Sequence, residues 1–182
     1  MTAPLEAALR SGAQALGLEL QGAQVAQLLD FMVLLQKWNK VYNLTSVRDP
    51  QDMLTHHLLD SLAAVVPLQR HLAERSADAV AGQGASALPA RLLDVGSGGG
   101  LPGVVFAICC PNLDVSCVDT VAKKAAFIQQ AAATLKLPNL HGIHARVESL
   151  AGPFDVVSCR AFAALADFTA WSRAALAPGA VW

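Results

Sequence analysis

Five of the eight residues from Gly96 to Gly103 are glycine, and they follow directly on the apolar run Leu92-Leu93-Asp94-Val95. Such a stretch exposes backbone amides with almost no side chain in the way, so a ligand can approach bare main chain. Pro102 suits the first turn of a following helix, where its missing N–H would be unpaired anyway. Val104, Val105, Phe106 and Ile108 carry that helix into a core. Strand, glycine turn and helix N-terminus thus form a candidate ligand site at the C-terminal end of a strand, where open α/β sheets bind their ligands. Three other strand ends carry suitable chemistry. Asp119 follows Val115–Val118, where an acid accepts hydrogen bonds from ribose hydroxyls; capping the next helix is its other reading. Arg146-Val147-Glu148 follows a third strand, where backbone amides could read a base edge, or where a plain surface loop could lie. Arg160 follows Phe154–Cys159 and is placed to hold a carboxylate or phosphate with its forked guanidinium.

The turn admits two cofactor registers. Gly98-Gly99-Gly100-Leu101-Pro102-Gly103 matches G-x-G-x-x-G, the dinucleotide fingerprint. Asp94-x-Gly96-x-Gly98-x-Gly100 matches the acidic-x-Gly-x-Gly-x-Gly turn of S-adenosylmethionine-dependent methyltransferases. The second register starts where the strand stops, since Gly96 follows Val95 directly; the first starts two residues late. The methyltransferase register is therefore preferred, with an NAD(P)-dependent oxidoreductase on the same fold as the alternative. In the preferred register Asp94 is expected to help hold the cofactor's ammonium group.

A formal net charge of −1 does not advertise a nucleic-acid binder, but the distribution is uneven. Phe31–Arg48 contains Lys37, Lys40 and Arg48 and no acid; Thr120–Val147 contains Lys123, Lys124, Lys136 and Arg146 and no acid. Such windows can form positive faces on a neutral protein. Trp38 and Tyr42 could stack on bases beside those cations, with Asn43 at the same junction; helix capping and packing by Asn43, Leu44 and Thr45 is the competing reading. No metal site is expected. His56, His57 and Asp60 read as a polar helix face, and His141 and His144 point to opposite faces of a strand. Cys109, Cys110, Cys117 and Cys159 form no C-x-x-C pair and read as buried, reduced thiols of a cytoplasmic protein. No apolar run of about 18 residues suggests a membrane span, and the first twenty residues do not read as a secretory signal.

Helical spacing of Val25, Leu28, Leu29, Met32, Leu35 and Trp38 predicts a helix over 22–38. A second helix is expected from Asp49-Pro50, ended by Pro67. Small and polar residues at 73–90 read as a mobile linker. Strands are then expected at 91–95, 114–118, 140–144, 154–158 and 179–182, and helices at 102–110, 121–136 and 163–176. This alternation implies an α/β fold with a parallel, Rossmann-like sheet at 91–182, preceded by an N-terminal helical extension at 1–72. The last expected strand meets the end of the chain at Val181-Trp182, so further C-terminal strands are expected to be missing.

Taken together, the segments Trp38-Asn39-Lys40-Val41-Tyr42-Asn43-Leu44-Thr45-Ser46-Val47-Arg48-Asp49, His57-Leu58-Leu59-Asp60-Ser61, Asp94–Gly103, Arg146-Val147-Glu148 and Ser158-Cys159-Arg160-Ala161-Phe162-Ala163 resemble the RsmG family. These are the bacterial small-subunit rRNA guanine-N7 methyltransferases, also called glucose-inhibited division protein B. The resemblance covers about residues 20–182. It implies S-adenosyl-L-methionine as cofactor, contacts to it from Gly96, Leu101, Val147, Glu148 and Arg160, and methylation of 16S rRNA at guanine N7, at nucleotide 527 in the family's numbering. Gly98 and Asp119 join that cofactor set on their own positions, and Lys37, Lys40, Asn43, Arg48, Lys123 and Lys124 are the expected RNA contacts. Two departures stand out: the 73–90 segment looks longer than the family's, and the chain stops before the family's last strands. Guanine N7 has a free lone pair and no proton to lose, so no general base is required and no catalytic residue is assigned. A non-catalytic RNA-binding assembly factor is the remaining alternative. The expected partner is 16S rRNA or the small ribosomal subunit, bound by a monomer.

Overall fold

A computed structural model describes residues 2–81 and 89–182. Five parallel strands form one sheet in the order β3-β2-β1-β4-β5: β1 Arg91–Val95, β2 Asp114–Asp119, β3 Leu140–His144, β4 Phe154–Cys159 and β5 Leu176–Val181. α6 (Gly103–Cys109) joins β1 to β2, α7 (Ala122–Leu135) joins β2 to β3, and α8 (Leu165–Ser172) precedes β5. This is the expected Rossmann-like α/β arrangement. The order reverses between β1 and β4, so the ligand crevice of such a sheet lies outside the ends of these two strands. The glycine turn leaves β1 there, and Arg160 leaves β4.

Before the sheet come α1 (Thr2–Ala15), α2 (Gly22–Tyr42), α3 (Pro50–Met53), a π-helical turn at Leu54–Leu59, α4 (Asp60–Ala63) and α5 (Val65–Ala81). α2 starts with a reciprocal cap between Gln21 and Gln24 and ends with Asn43 in the left-handed region, at φ 49°. Asp49 accepts from the Gln51 and Asp52 amides and caps α3.

Alternation along the strands sends two sets of side chains to two faces. Leu92, Val115 and Val156 join Leu28, Phe31 and Leu35 of α2, Val104 and Ile108 of α6, and Phe127 and Ile128 of α7 in one continuous core. Leu93, Val95, Val118 and Val157 pack on the other face with Phe168 of α8 and Val147. The N-terminal helices therefore close one face of the sheet on top of α6 and α7.

Three expectations about the elements need correction. The segment 73–90 is not a linker in its first half. α5 runs to Ala81, because Ala73–Ala81 is rich in good helix formers and contains neither Gly nor Pro. Arg75 within it donates to Asp155 Oδ1 at 2.6 Å and ties α5 to β4. Residues 82–88, the rest of that reading, lie outside the described residues. Pro67 does not end a helix. The chain bends at Ala64, and Pro67 falls in the first turn of α5, where its missing donor has no intrahelical acceptor to lose. β5 begins at Leu176, earlier than expected, after α8 has given way to a 3-10 turn at Arg173–Ala175.

Gly103 sets how closely α6 approaches the sheet. A Cβ there would collide with Cys117 Sγ and come within 2.9 Å of Asp94 Oδ2. Overpacking of this kind costs about 1–3 kcal/mol. Gly103→Ala should therefore lower the unfolding free energy measured by urea denaturation by that amount, and adding Cys117→Ala should recover part of the loss.

Candidate cofactor site and nucleic-acid interface

The glycine turn is held from three sides. The Gly96 and Ser97 amides donate to the Val118 carbonyl at 2.9 and 3.2 Å, which fastens the turn to the end of β2. The Gly98 amide donates to Asp119 Oδ2 at 3.1 Å, while Asp119 Oδ1 accepts from Val121 at 2.9 Å. The Gly103 amide donates to Asp94 Oδ2 at 3.0 Å.

Each glycine answers a different requirement. Gly96, Gly98 and Gly100 have φ of 65°, 55° and 81°, a region that disfavours side chains. A Cβ at Gly99 would press on Leu35 of α2 at 3.0 Å, so that residue lets the N-terminal helices come close. A Cβ at Gly96 would strike the Phe162 ring. At Gly98 a Cβ would meet only the Gly96 carbonyl, at 3.9 Å. Its freedom is kept for the turn and for the space in front of it.

That space is a cavity of about 320 Å³. Gly96, Gly98, Leu101 and Arg160 line it, together with Leu44, Thr45, Ser97 and Ala161. Four of the seven expected cofactor residues thus meet at one place. Asp119 stands behind the loop with both oxygens engaged by backbone amides. Val147 and Glu148 do not line the cavity: the Val147 side chain is buried in the far core and Glu148 is exposed. Leu44, Thr45 and Ser97 were not foreseen as site residues, because only the packing of α2 beside the loop brings the first two there.

Asp94 does not face the cavity, which corrects its reading as an ammonium ligand. It is fully buried, accepting from Gly103 and from the Ser158 hydroxyl at 3.2 Å. Burial raises its pKa to about 7, against the opposing pull of those two donors and of the Arg160 charge. His57, also buried, has its pKa lowered, first by desolvation and further by the Arg160 and His56 charges, with the His56 carbonyl and Asp60 opposing. Its Nε2 lies 2.8 Å from Thr45 Oγ1. Among the described residues no cluster of His, Cys, Asp and Glu could hold a metal ion.

Arg160 Nη1 donates to the His56 carbonyl at 2.9 Å and to Asp60 Oδ2 at 3.0 Å. His56 lies in the π-helical turn, a distortion frequent at functional sites. The Arg160 and Asp60 side chains are 31% and 58% exposed. Such a pair is worth little, about 0–1 kcal/mol, so the guanidinium is oriented without being locked.

Lys37, Lys40 and Arg48 line a neighbouring groove of about 440 Å³ together with Asn39. Asn43 Oδ1 accepts from Arg48 at 3.4 Å. Asn39 is buried, and its Oδ1 accepts from the Thr45 amide at 2.9 Å, so one side chain touches both groove and cavity wall. Two of the candidate nucleic-acid contacts also touch other side chains of the protein. Trp38 sits between Tyr42 and Phe127, with ring centroids 5.1 and 5.4 Å away, and seals α2 to α7 instead of presenting a stacking face. Lys124 turns to Asp119, with Nζ 3.5 Å from Oδ2. Lys123 is exposed, 6.0 Å from the Tyr42 ring centroid.

Residues 24–182 match the family described as GidB, rRNA small subunit methyltransferase G. The chain belongs to this family. It is 80% identical over 177 residues to the Ribosomal RNA small subunit methyltransferase G of Acidovorax sp. (strain JS42), covering 97% of this chain and 76% of that protein. It is 73% identical over 178 residues to the protein of the same name from Paracidovorax citrulli (strain AAC00-1), covering 98% and 72%. A solved coclaurine N-methyltransferase, bound to N-methylheliamine and SAH, aligns with 96% of this chain at 14% identity and a TM-score of 0.43; the chain spans 53% of it. The family is the one the motifs resemble. Its matched span takes in the glycine turn, Arg160, the groove and Thr45, and leaves out the whole of α1. Among the described residues no helix is long and apolar enough to cross a membrane.

Asp94 gives the site a measurable pH signature. Its folded pKa lies above its unfolded one, so its contribution is complete below about pH 4 and is lost as pH rises through about 7. Asp94→Asn keeps an acceptor for Gly103 and has no charge to bury. Urea denaturation from about pH 5 to pH 8 should therefore show the stability difference moving in the variant's favour as pH rises. A difference independent of pH would contradict the burial argument.

Proposed function

We propose that this protein transfers the methyl group of S-adenosylmethionine to N7 of a guanine in small-subunit rRNA, the guanine at nucleotide 527 in the family's numbering. The observation that carries the reading is the placement of Gly98. Its missing side chain leaves the cavity open at the sheet's switch point, and Asn39, which lines the cationic groove, holds the Thr45 amide of the cavity's other wall.

The residues present fit the cofactor. Gly96, Gly98 and Leu101 would hold it along the turn, and a Cβ at Gly98 would project into the same space. Arg160 can exchange the weakly held Asp60 for a ligand carboxylate. Asp119 fixes the turn and would offer its remaining lone pairs to ribose hydroxyls. When bound, S-adenosylmethionine supplies an electrophilic methyl on a positively charged sulfur. The chain's own work is alignment: it holds the turn rigid, keeps Arg160 in place, and carries the RNA backbone on Lys37, Lys40 and Arg48 so that a base displaced from its stack reaches the cavity. Guanine N7 is nucleophilic without deprotonation, so the protein needs no general base. Transfer of a labelled methyl group to small-subunit rRNA, followed by mapping of the methylated position, tests the reading. Failure to transfer with intact cofactor binding would favour a non-catalytic binding role.

Two variants separate cofactor from RNA contacts. Gly98→Val should remain folded and lose S-adenosylmethionine binding in calorimetry, because a β-branched residue is strained at φ 55° and fills the open space. Unchanged affinity would remove the turn from the site. The triple Lys37/Lys40/Arg48→Ala variant should keep cofactor affinity and lose RNA affinity. Its log–log salt slope should flatten by about 2, since each single-strand phosphate contact contributes about 0.7. A parental slope would place the RNA surface elsewhere.

A further inference from the structure

Thr45, in the segment that leaves α2, is the hydroxyl-bearing residue that the N-terminal part of the chain contributes to the cavity lining, and its surroundings decide how that hydroxyl is used. Its main chain is fixed by the Asn39 side chain, 2.9 Å from the Thr45 amide. Its Oγ1 accepts the Val47 amide at 3.1 Å and lies 2.8 Å from His57 Nε2. His57 is buried, and its other ring nitrogen, Nδ1, has no hydrogen-bond partner among the described residues. The His56 carbonyl lies near enough to favour the protonated ring, but it accepts from Arg160 Nη1 at 2.9 Å and makes no hydrogen bond with His57 Nδ1.

Burial keeps the imidazole neutral at pH 7, so it carries one proton, on one nitrogen or the other. A proton on Nδ1 would leave a buried N–H with no acceptor, the rarer and costlier defect. A proton on Nε2 leaves only an unpaired acceptor at Nδ1, and Nε2–H then donates to Thr45 Oγ1. The threonine oxygen receives two N–H bonds, from Val47 and His57. Both its lone pairs are engaged, so its single proton is left to donate into the cavity.

We infer that His57, as its Nε2–H tautomer, commits the Thr45 hydroxyl as a hydrogen-bond donor to an oxygen acceptor entering the cavity beside Gly98 and Arg160. Thr45 is then a binding residue, and His57 is a positioning residue acting through it. The inference rests on the methyltransferase reading, within which two ligand oxygens have this chemistry. One is the carboxylate of the cofactor's amino-acid end. The other is guanine O6, the acceptor adjacent to N7.

The test combines spectroscopy, binding and kinetics. Nitrogen-15 chemical shifts of His57 in the parent protein should report a protonated Nε2 and an unprotonated Nδ1 at pH 7; the opposite tautomer overturns the inference whatever the activity. Thr45→Val should lose about tenfold, the scale of one hydrogen bond of roughly 1.4 kcal/mol, and Thr45→Ser should recover most of it. Loss in the calorimetric S-adenosylmethionine affinity, with the transfer rate at saturating cofactor unchanged, identifies the cofactor carboxylate as the acceptor. Unchanged cofactor affinity with a lower saturated kcat identifies guanine O6. His57→Gln, whose amide can still donate to Thr45 Oγ1, should stay near the parent, while His57→Leu should reproduce the Thr45→Val loss. Thr45→Val within twofold of the parent in both affinity and kcat overturns the inference. A parent protein that neither binds S-adenosylmethionine nor methylates rRNA overturns the underlying reading, and leaves the tautomer measurement to stand alone.

Discussion

A carboxylate with no access to water holds the centre of this protein together. Asp94 lies near the end of β1, with one oxygen on the first amide of α6 and the other on Ser158 of β4. Burying a carboxylate is unfavourable, and its raised pKa records that cost. The two donors offset part of it, and they join three elements at one point: the strand before the turn, the helix after it, and the neighbouring strand that carries Arg160. The contact also requires Gly103, since a side chain there would occupy the position of Cys117 Sγ. The turn can therefore leave β1 in only one direction, toward the sheet's switch point.

Asp119 repeats the device at the next strand with a different outcome. Its carboxylate braces the turn from the side through Gly98 and starts the approach to α7 through Val121. Lys124 adds a charge partner from α7. Between them the two acids hold a loop that contains almost no side chains to hold it. A loop so rich in glycine loses much conformational entropy on folding; the fixed acceptors offset part of that loss.

The N-terminal helices are as much a part of the site as the sheet. Gly99 lets Leu35 of α2 approach the turn, and the chain leaving α2 then supplies Leu44 and Thr45 to the cavity. Asn39 connects that wall to the groove lined by Lys37, Lys40 and Arg48. A displacement of α2 would be felt by both surfaces at once. Arg160 makes the corresponding link from the sheet, reaching the π-helical turn at His56. The two surfaces are thus coupled by short polar contacts across a shared apolar core, with groups on each side too exposed to be rigidly trapped.

Local pattern alone determined the parallel sheet, the positions of its first four strands, the glycine turn and the family. Period-2 apolar runs, glycine punctuation and helical spacing act over a few residues, and the chemistry of a strand–turn–helix is legible at that range. Gly96, Gly98 and Arg160 could be named as candidates because they follow strand ends, whereas Leu101 was named through the family resemblance. Tertiary structure alone decided what depended on residues distant in sequence. Trp38 looked like a base-stacking ring and became a seam, because Phe127 of α7 lies against it. Lys124 looked like a phosphate contact and found Asp119. Asp94 looked like a ligand and was buried, because α6 closes over the end of β1. Thr45 looked like a capping residue and reached the cavity, because α2 packs beside the turn. Side-chain types and their order carry propensity and period, whereas exposure and partnership arise only when surfaces from separate segments exclude water together.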